Sequence, residues 1–92
     1  MAPYATFGSV ALAGHVRAAL HGRSAALLAN HGSVTVGASL DAAVENALLL
    51  EWLCQLHHRA SALGTPRVLT EEQQLDVIHA ALARGYGTPQ EI

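Results

Sequence analysis

A long apolar segment in the middle of the chain constrains the fold more than any other feature. Ser39 can cap a helix that runs from about Leu40 to Leu63, and Gly64 ends it. Leucines and one tryptophan crowd its middle, so the helix is apolar around much of its circumference. Such a helix is normally buried on several sides. Because 92 residues cannot cover it, we expect it to pack under a larger sheet or in a subunit interface.

Two short strands precede this helix. Residues 25–29 form a continuous apolar run, which predicts a central strand buried on both faces. Residues 33–36 alternate and are β-branched, which predicts a second strand. The intervening Asn30-His31-Gly32 fits a hairpin-type reversal. The turn leaves the His31 imidazole at a strand end, where a metal ligand could project.

Two further helices complete the predicted α/β pattern. Ser9 can cap a helix over Val10 to Leu20. Thr70-Glu71-Glu72-Gln73 is a capping box that begins a helix to about Ala83. Residues 3–8 form an extended or turning opening segment, and the glycines and proline of residues 84–90 predict a non-helical tail.

Composition excludes several functions. The net charge is about −2 and the five arginines are scattered, so we expect no nucleic-acid partner. No apolar run approaches the roughly 20 residues that span a bilayer, so we expect no membrane partner. A lone Cys54 excludes an internal disulfide and suits a cytoplasmic protein. Its apolar helical surroundings favour plain core packing.

The chain contains no self-contained catalytic metal site in its sequence. A catalytic zinc ion needs about three protein ligands. No His-x-His or His-Glu-x-x-His motif accompanies His31, and His57 and His58 point apart on their helix. From position alone, a single histidine at a strand turn is more often structural than a ligand.

Two aromatic residues are further candidates. Tyr86 lies between two glycines, so it is either a surface tyrosine or a proton donor that the tail brings to a site. Phe7 either anchors the opening segment or forms one wall of a substrate pocket.

Four short motifs, in this order, resemble those of one family. Residues 3–8 resemble the segment before its penultimate α/β stretch, and Asn30-His31-Gly32 resembles its His-Gly turn. Leu69-Thr70-Glu71-Glu72 resembles its usual helix start, and Arg84-Gly85-Tyr86-Gly87 resembles its terminal Tyr-Gly. Over nearly its whole length the chain therefore resembles the C-terminal half of the class II aldolase/adducin family, in particular the fuculose-phosphate type of aldolase.

This resemblance implies a fold and a set of roles. Residues 1–92 would be the C-terminal part of a single three-layer α/β/α domain, with the N-terminal half absent from this chain. His31 matches the last of three histidine ligands to a zinc ion, whose other ligands lie upstream in the family. Phe7 matches an aromatic that lines the aldehyde side. Tyr86 matches a tail tyrosine that reaches the neighbouring subunit and acts as acid/base.

The implied reaction is reversible aldol cleavage of a phosphorylated sugar, in which zinc acts as a Lewis acid that stabilises an enediolate. The family is typically a homotetramer, so the implied partners are further copies of the chain or a complementary N-terminal fragment. A single imidazole holds zinc weakly, so this chain alone should be inactive. The family has a bulky aromatic residue three positions before the tail tyrosine; Ala83 stands there, which implies a wider or differently shaped aldehyde pocket.

Other functions remain open at this stage. The family's scaffold also supports 4-epimerisation and dehydration of sugar phosphates. A non-catalytic assembly module, like the adducin head, would keep the fold without the chemistry. A small helical interaction protein with accidental motifs would have to fold alone as a monomer, which its apolar helix and isolated hairpin disfavour.

Overall fold

The computed structural model describes residues 1–85, and the predicted α/β composition is confirmed there. The predicted bounds of all three helices are confirmed as well. The described residues contain five elements in chain order: α1 (Val10–Leu20), β1 (Ala25–Leu28), β2 (Gly32–Thr35), α2 (Leu40–Leu63) and α3 (Glu71–Ala83).

Each helix begins where a side chain satisfies its first free backbone N–H groups. Ser9 Oγ accepts from the Leu12 N–H at 3.1 Å, and Ser39 Oγ accepts from the Ala42 N–H at 3.1 Å. Thr70 and Gln73 exchange both bonds of a capping box. These contacts are local in the sequence, which is why sequence patterns predict them well.

The two strands form an antiparallel hairpin, as predicted, but each differs from its expected bounds by one residue. Ala25 lies opposite Thr35 and Leu28 lies opposite Gly32. Strand β1 ends at Leu28 rather than Ala29, because Ala29 already belongs to the turn. Strand β2 begins at Gly32 and ends at Thr35, one residue before the predicted end.

The opening segment lies beside β1, on the side opposite β2, and pairs with it at residue 2. The Ala2 N–H donates to the Leu27 carbonyl at 2.7 Å, and the Ala29 N–H donates to the Ala2 carbonyl at 3.0 Å. This parallel bridge leaves β1 between β2 and residue 2, so β1 is central in the hydrogen-bonding direction. Ala2 is fully buried as a result.

The prediction that β1 is buried on both faces is wrong for the described residues. Of its four residues only Ala26 is buried, and Leu27 remains 37% exposed. The elements that pack on β1 here are α1, α2 and β2. Two helices and a two-stranded sheet have too little surface to close over both faces of a strand.

Helix α2 leaves most of its apolar side chains uncovered. Among the described elements it packs only on β1 and β2. Leu48 is 69% exposed and Trp52 is 58% exposed. Helix α3 packs on no other named helix or strand of residues 1–85. None of the described helices is long and apolar enough to cross a membrane.

Two side-chain hydrogen bonds join the end of β2 to the start of α2. Thr35 Oγ1 donates to the Ala43 carbonyl at 2.8 Å, and Asn46 Nδ2 donates to the Val36 carbonyl at 2.8 Å. Between these bonds Gly37 passes very close to the helix backbone. The hairpin therefore has a defined position on α2.

Candidate functional site

The hairpin turn holds His31 through an unusual backbone path. Asn30 has a φ of 66°, in the left-handed region that asparagine tolerates better than most residues. Gly32 has a φ of 143°, which residues with a side chain rarely adopt. The His31 N–H donates to the Leu28 carbonyl at 3.1 Å and closes the turn. The His31 side chain is exposed there, at the end of the hairpin.

Residues of the opening segment contact the His31 ring on its edge and on its face. Nε2 of His31 lies 2.7 Å from the Ala5 carbonyl oxygen. A carbonyl only accepts, so Nε2 carries the proton, and the lone pair of the neutral ring is on Nδ1. The Tyr4 ring stacks on the imidazole, with centroids 5.3 Å apart and planes 15° from parallel.

An open cleft lies beside this pair of rings. It has a volume of about 520 Å³ and is lined by Tyr4, Asn30 and His31. Its walls carry a phenol, an amide and an imidazole, so it can hydrogen-bond a polar small molecule. A volume of this size falls within the usual range of small-molecule sites, roughly 300–1,000 Å³.

The arrangement around His31 fits one ligand of a metal site. Histidine ligands almost always donate their second ring N–H to a carbonyl, carboxylate or water, which fixes the tautomer. The Ala5 carbonyl fills that role here. Among residues 1–85, no group of three or more histidine, cysteine, aspartate or glutamate side chains could hold a metal ion. The described part of the chain thus offers one imidazole rather than a complete coordination sphere.

Phe7 is not among the residues that line the cleft beside His31. The Ser9 N–H donates to the Thr6 carbonyl at 3.1 Å, and Gly8 has a φ of 71°, so Phe7 lies at the corner of a tight turn. Its side chain is 81% exposed, and Phe7 follows Ala5 by two positions in the chain. Tyr86, the predicted acid/base, lies outside the described residues, as does the tail that follows it.

Sequence reasoning missed Tyr4 and Ala5 as contacts of His31. Twenty-six positions separate Ala5 from His31 along the chain. No local pattern predicts such a contact, because it depends on the Ala2 bridge to β1. The only available signal was that the opening segment and the hairpin turn belong to the same family resemblance.

A second groove lies along α2 and is apolar in character. It has a volume of about 630 Å³ and includes Leu27, Cys54 and Leu56. Cys54 is only half-buried at its edge, so the core packing expected for it is incomplete in residues 1–85. His57 and His58 also border the groove and are exposed, as expected for solvated or interfacial helix residues.

Comparison with known proteins assigns the family. Residues 1–58 match the sequence model described as "Class II Aldolase and Adducin N-terminal domain". A 5-methylthioribulose-1-phosphate/5-deoxyribulose-1-phosphate aldolase of Rhodospirillum rubrum is 37% identical over 75 residues, which cover 82% of this chain and 34% of that protein. An L-fuculose phosphate aldolase of Escherichia coli K12 is 36% identical over 77 residues, which cover 84% of this chain and 36% of that protein. The chain belongs to the class II aldolase and adducin family.

Three further findings accompany this assignment. The chain spans about a third of the length of these curated relatives. A protein of Streptomyces niveus named decarboxylase NovR is 45% identical over 53 residues, which cover 58% of this chain and 20% of that protein. No solved structure gives a significant match.

Proposed function

We propose that this chain supplies part of the active site of a metal-dependent aldolase that cleaves a phosphorylated sugar. The observation that carries the proposal is the exposure and hydrogen bonding of the His31 ring. Its ring is exposed at the hairpin turn, with Nε2 bonded to the Ala5 carbonyl and the Nδ1 lone pair unused by any described residue. The relatives' names supply the substrate class, since aldolases named for sugar phosphates match 75 to 86 residues of this chain.

The proposed cofactor is a divalent metal ion, with zinc expected. His31 would hold it together with ligands from outside the described residues, because a catalytic zinc site uses about three protein ligands. When bound, such an ion polarises a substrate carbonyl as a Lewis acid. The chain's own task at this point is to present the His31 imidazole in a fixed orientation.

Two aromatic residues have proposed roles in handling the substrate. Phe7, exposed at its turn beyond Ala5, would line the aldehyde side of the pocket. Tyr86 would move a proton to or from the reacting oxygen, since a positioned phenol can act as acid or base. Its role rests on the resemblance of Arg84-Gly85-Tyr86-Gly87 to the family's tail. The small side chain at Ala83 would leave more room for the aldehyde.

The proposed working form is an assembly in which α2 is covered. We take residues 1–92 as the C-terminal part of one domain: the chain spans about a third of its relatives, and Arg84-Gly85-Tyr86-Gly87 resembles the family's tail. Leu48 and Trp52, both more than half exposed on α2, need apolar neighbours from the rest of such a domain or from other copies of the chain. A homotetramer would supply the second kind of neighbour.

The test compares two histidine variants of the complete protein. His31→Ala should lose the metal ion, measured by elemental mass spectrometry, and with it the cleavage of phosphorylated ketoses. His79→Ala is the control, because His79 is exposed on α3 and its side chain makes no hydrogen bond within residues 1–85. Full retention of metal and activity by His31→Ala would contradict the proposal.

The substrate panel must separate the family's reactions. L-fuculose 1-phosphate and 5-methylthioribulose 1-phosphate follow from the names of the relatives. Aldol cleavage releases an aldehyde and a smaller phosphorylated ketone, whereas epimerisation, dehydration and decarboxylation do not, so the products should be identified directly. A wild-type protein that binds no metal and cleaves no ketose would favour the assembly-module alternative.

A further inference from the structure

We propose that Tyr4 is a positioning residue for His31: its ring holds the imidazole in one plane while the Ala5 carbonyl holds it in one tautomer. The proposal rests on the proposed function of His31 as a metal ligand. It adds a residue that acts on that ligand through stacking rather than by contact with substrate or metal.

His31 needs such support because few neighbouring residues surround its side chain. The side chain is exposed at the end of a two-stranded hairpin. An exposed histidine side chain changes rotamer within roughly picoseconds to nanoseconds. A metal ligand works well only when its ring is held within a fraction of an ångström by neighbouring groups.

One hydrogen bond is not sufficient to hold the ring. The bond from Nε2 to the Ala5 carbonyl restrains one atom, but rotation of the exposed side chain about its χ1 and χ2 angles can still break that bond. The Tyr4 ring, 15° from parallel at a centroid distance of 5.3 Å, restricts this rotation. Together the two contacts determine both the plane of the imidazole and the nitrogen that carries the proton.

Tyr4 itself lies on a fixed piece of backbone. Two residues before it, Ala2 is fully buried and makes one backbone hydrogen bond to Leu27 of β1 and one to Ala29 of the turn. Pro3 then restricts the backbone between Ala2 and Tyr4. Strand β1 leads directly into the hairpin turn, so the same strand positions both rings.

The stacked face of Tyr4, rather than its hydroxyl, makes the contact. The hydroxyl forms no hydrogen bond with the described residues, and the side chain is 59% exposed. Phenylalanine should therefore replace Tyr4 without loss, whereas a side chain without a flat ring should not. This expectation separates a positioning role from a surface aromatic that lies near His31 by chance.

The test uses the complete protein with Tyr4→Phe, Tyr4→Leu and Tyr4→Ala. The first readout is the two-bond ¹H–¹⁵N spectrum of histidine-labelled, metal-free protein at about pH 8, where free imidazole is largely neutral. His31→Ala identifies the His31 signals. Wild type and Tyr4→Phe should each give one Nε2–H tautomer. Tyr4→Leu and Tyr4→Ala should give a mixture of the two tautomers, because an imidazole that Tyr4 no longer holds in its plane rotates away and loses the bond to the Ala5 carbonyl.

The second readout is zinc affinity, measured by competition with a chelator. Tyr4→Leu should bind zinc about 10- to 100-fold more weakly, as is typical when a group that orients a ligand is lost. Tyr4→Phe should stay close to wild type. Tyr4→Leu keeps apolar bulk at this position, so it serves if Tyr4→Ala does not fold.

The two readouts separate this proposal from the proposed function. A wild-type tautomer pattern in a folded Tyr4→Leu protein would overturn the positioning role, whatever the protein does with zinc. A mixed pattern in Tyr4→Leu, together with a wild-type protein that binds no zinc, would support positioning and refute the metal site. Equal loss in Tyr4→Phe and Tyr4→Leu would overturn the stacking argument.

Discussion

Gly37 provides the sharpest test of how the hairpin packs on α2. A Cβ atom added at Gly37 would lie 2.7 Å from the Ala43 backbone nitrogen and 2.9 Å from two atoms of Ala42. Carbon atoms in contact normally approach to about 3.5–4.0 Å. The nearest of these neighbours belong to the backbone of α2, which cannot move aside as a flexible side chain can. Gly37→Ala therefore has to push the hairpin and the helix apart.

The expected cost follows from overpacking a well-fitted contact, which is typically about 1–3 kcal/mol. Separation would also strain the bond from Asn46 to the Val36 carbonyl, next to Gly37, so we expect about 2 kcal/mol. With a urea dependence of about 2 kcal/mol per M, the unfolding midpoint should fall by about 1 M.

Urea unfolding of the complete protein, followed by circular dichroism, measures this shift. Gly14→Ala is the matched control, because Gly14 lies within α1 and an added Cβ there meets nothing within 4 Å. Alanine in a helix interior is favoured over glycine by about 0.5–1 kcal/mol, so this variant should be slightly more stable than wild type. A Gly37→Ala protein as stable as wild type would refute the close approach of the hairpin to α2.

The remaining predictions concern one hydrogen bond and one proposed acid/base residue. Thr35→Val removes the bond to the Ala43 carbonyl and should cost about 1 kcal/mol in urea unfolding. Thr65→Val, at an exposed loop position, should stay within about 0.5 kcal/mol of wild type, and equal values for the two variants would refute a stabilising role for the bond. Tyr86→Phe should lower kcat by roughly 10²- to 10⁴-fold while the metal content stays unchanged. An unchanged kcat would remove the proposed acid/base role of Tyr86.

The residues that match the family model overlap with those that form the candidate site. The matched residues 1–58 include the opening segment, which contacts His31, the hairpin that holds His31, and most of α2, which packs on the hairpin. Helix α3 lies beyond the residues that the family model matches and packs on no other named element of residues 1–85. The residues that the family model matches therefore include those that build the candidate site.

The elements of this protein could be predicted from sequence because their determinants are local. Ser9, Ser39 and Thr70 cap helices by bonding N–H groups three residues ahead. Asn30 and Gly32 tolerate the backbone angles of the turn in which His31 lies. In each case a few neighbouring residues decide the conformation, so the pattern alone contains the necessary information.

The environment of His31 depended on contacts between distant segments. The sequence pattern predicted an imidazole at a strand end, but its partners Tyr4 and Ala5 become visible only once Ala2 pairs with β1. The exposure of Leu27 also differs from expectation, because burial of β1 depends on which other elements pack on it. Hydrogen bonding within a helix or turn acts over three or four residues, whereas ring stacking and burial depend on which segments the whole fold brings together.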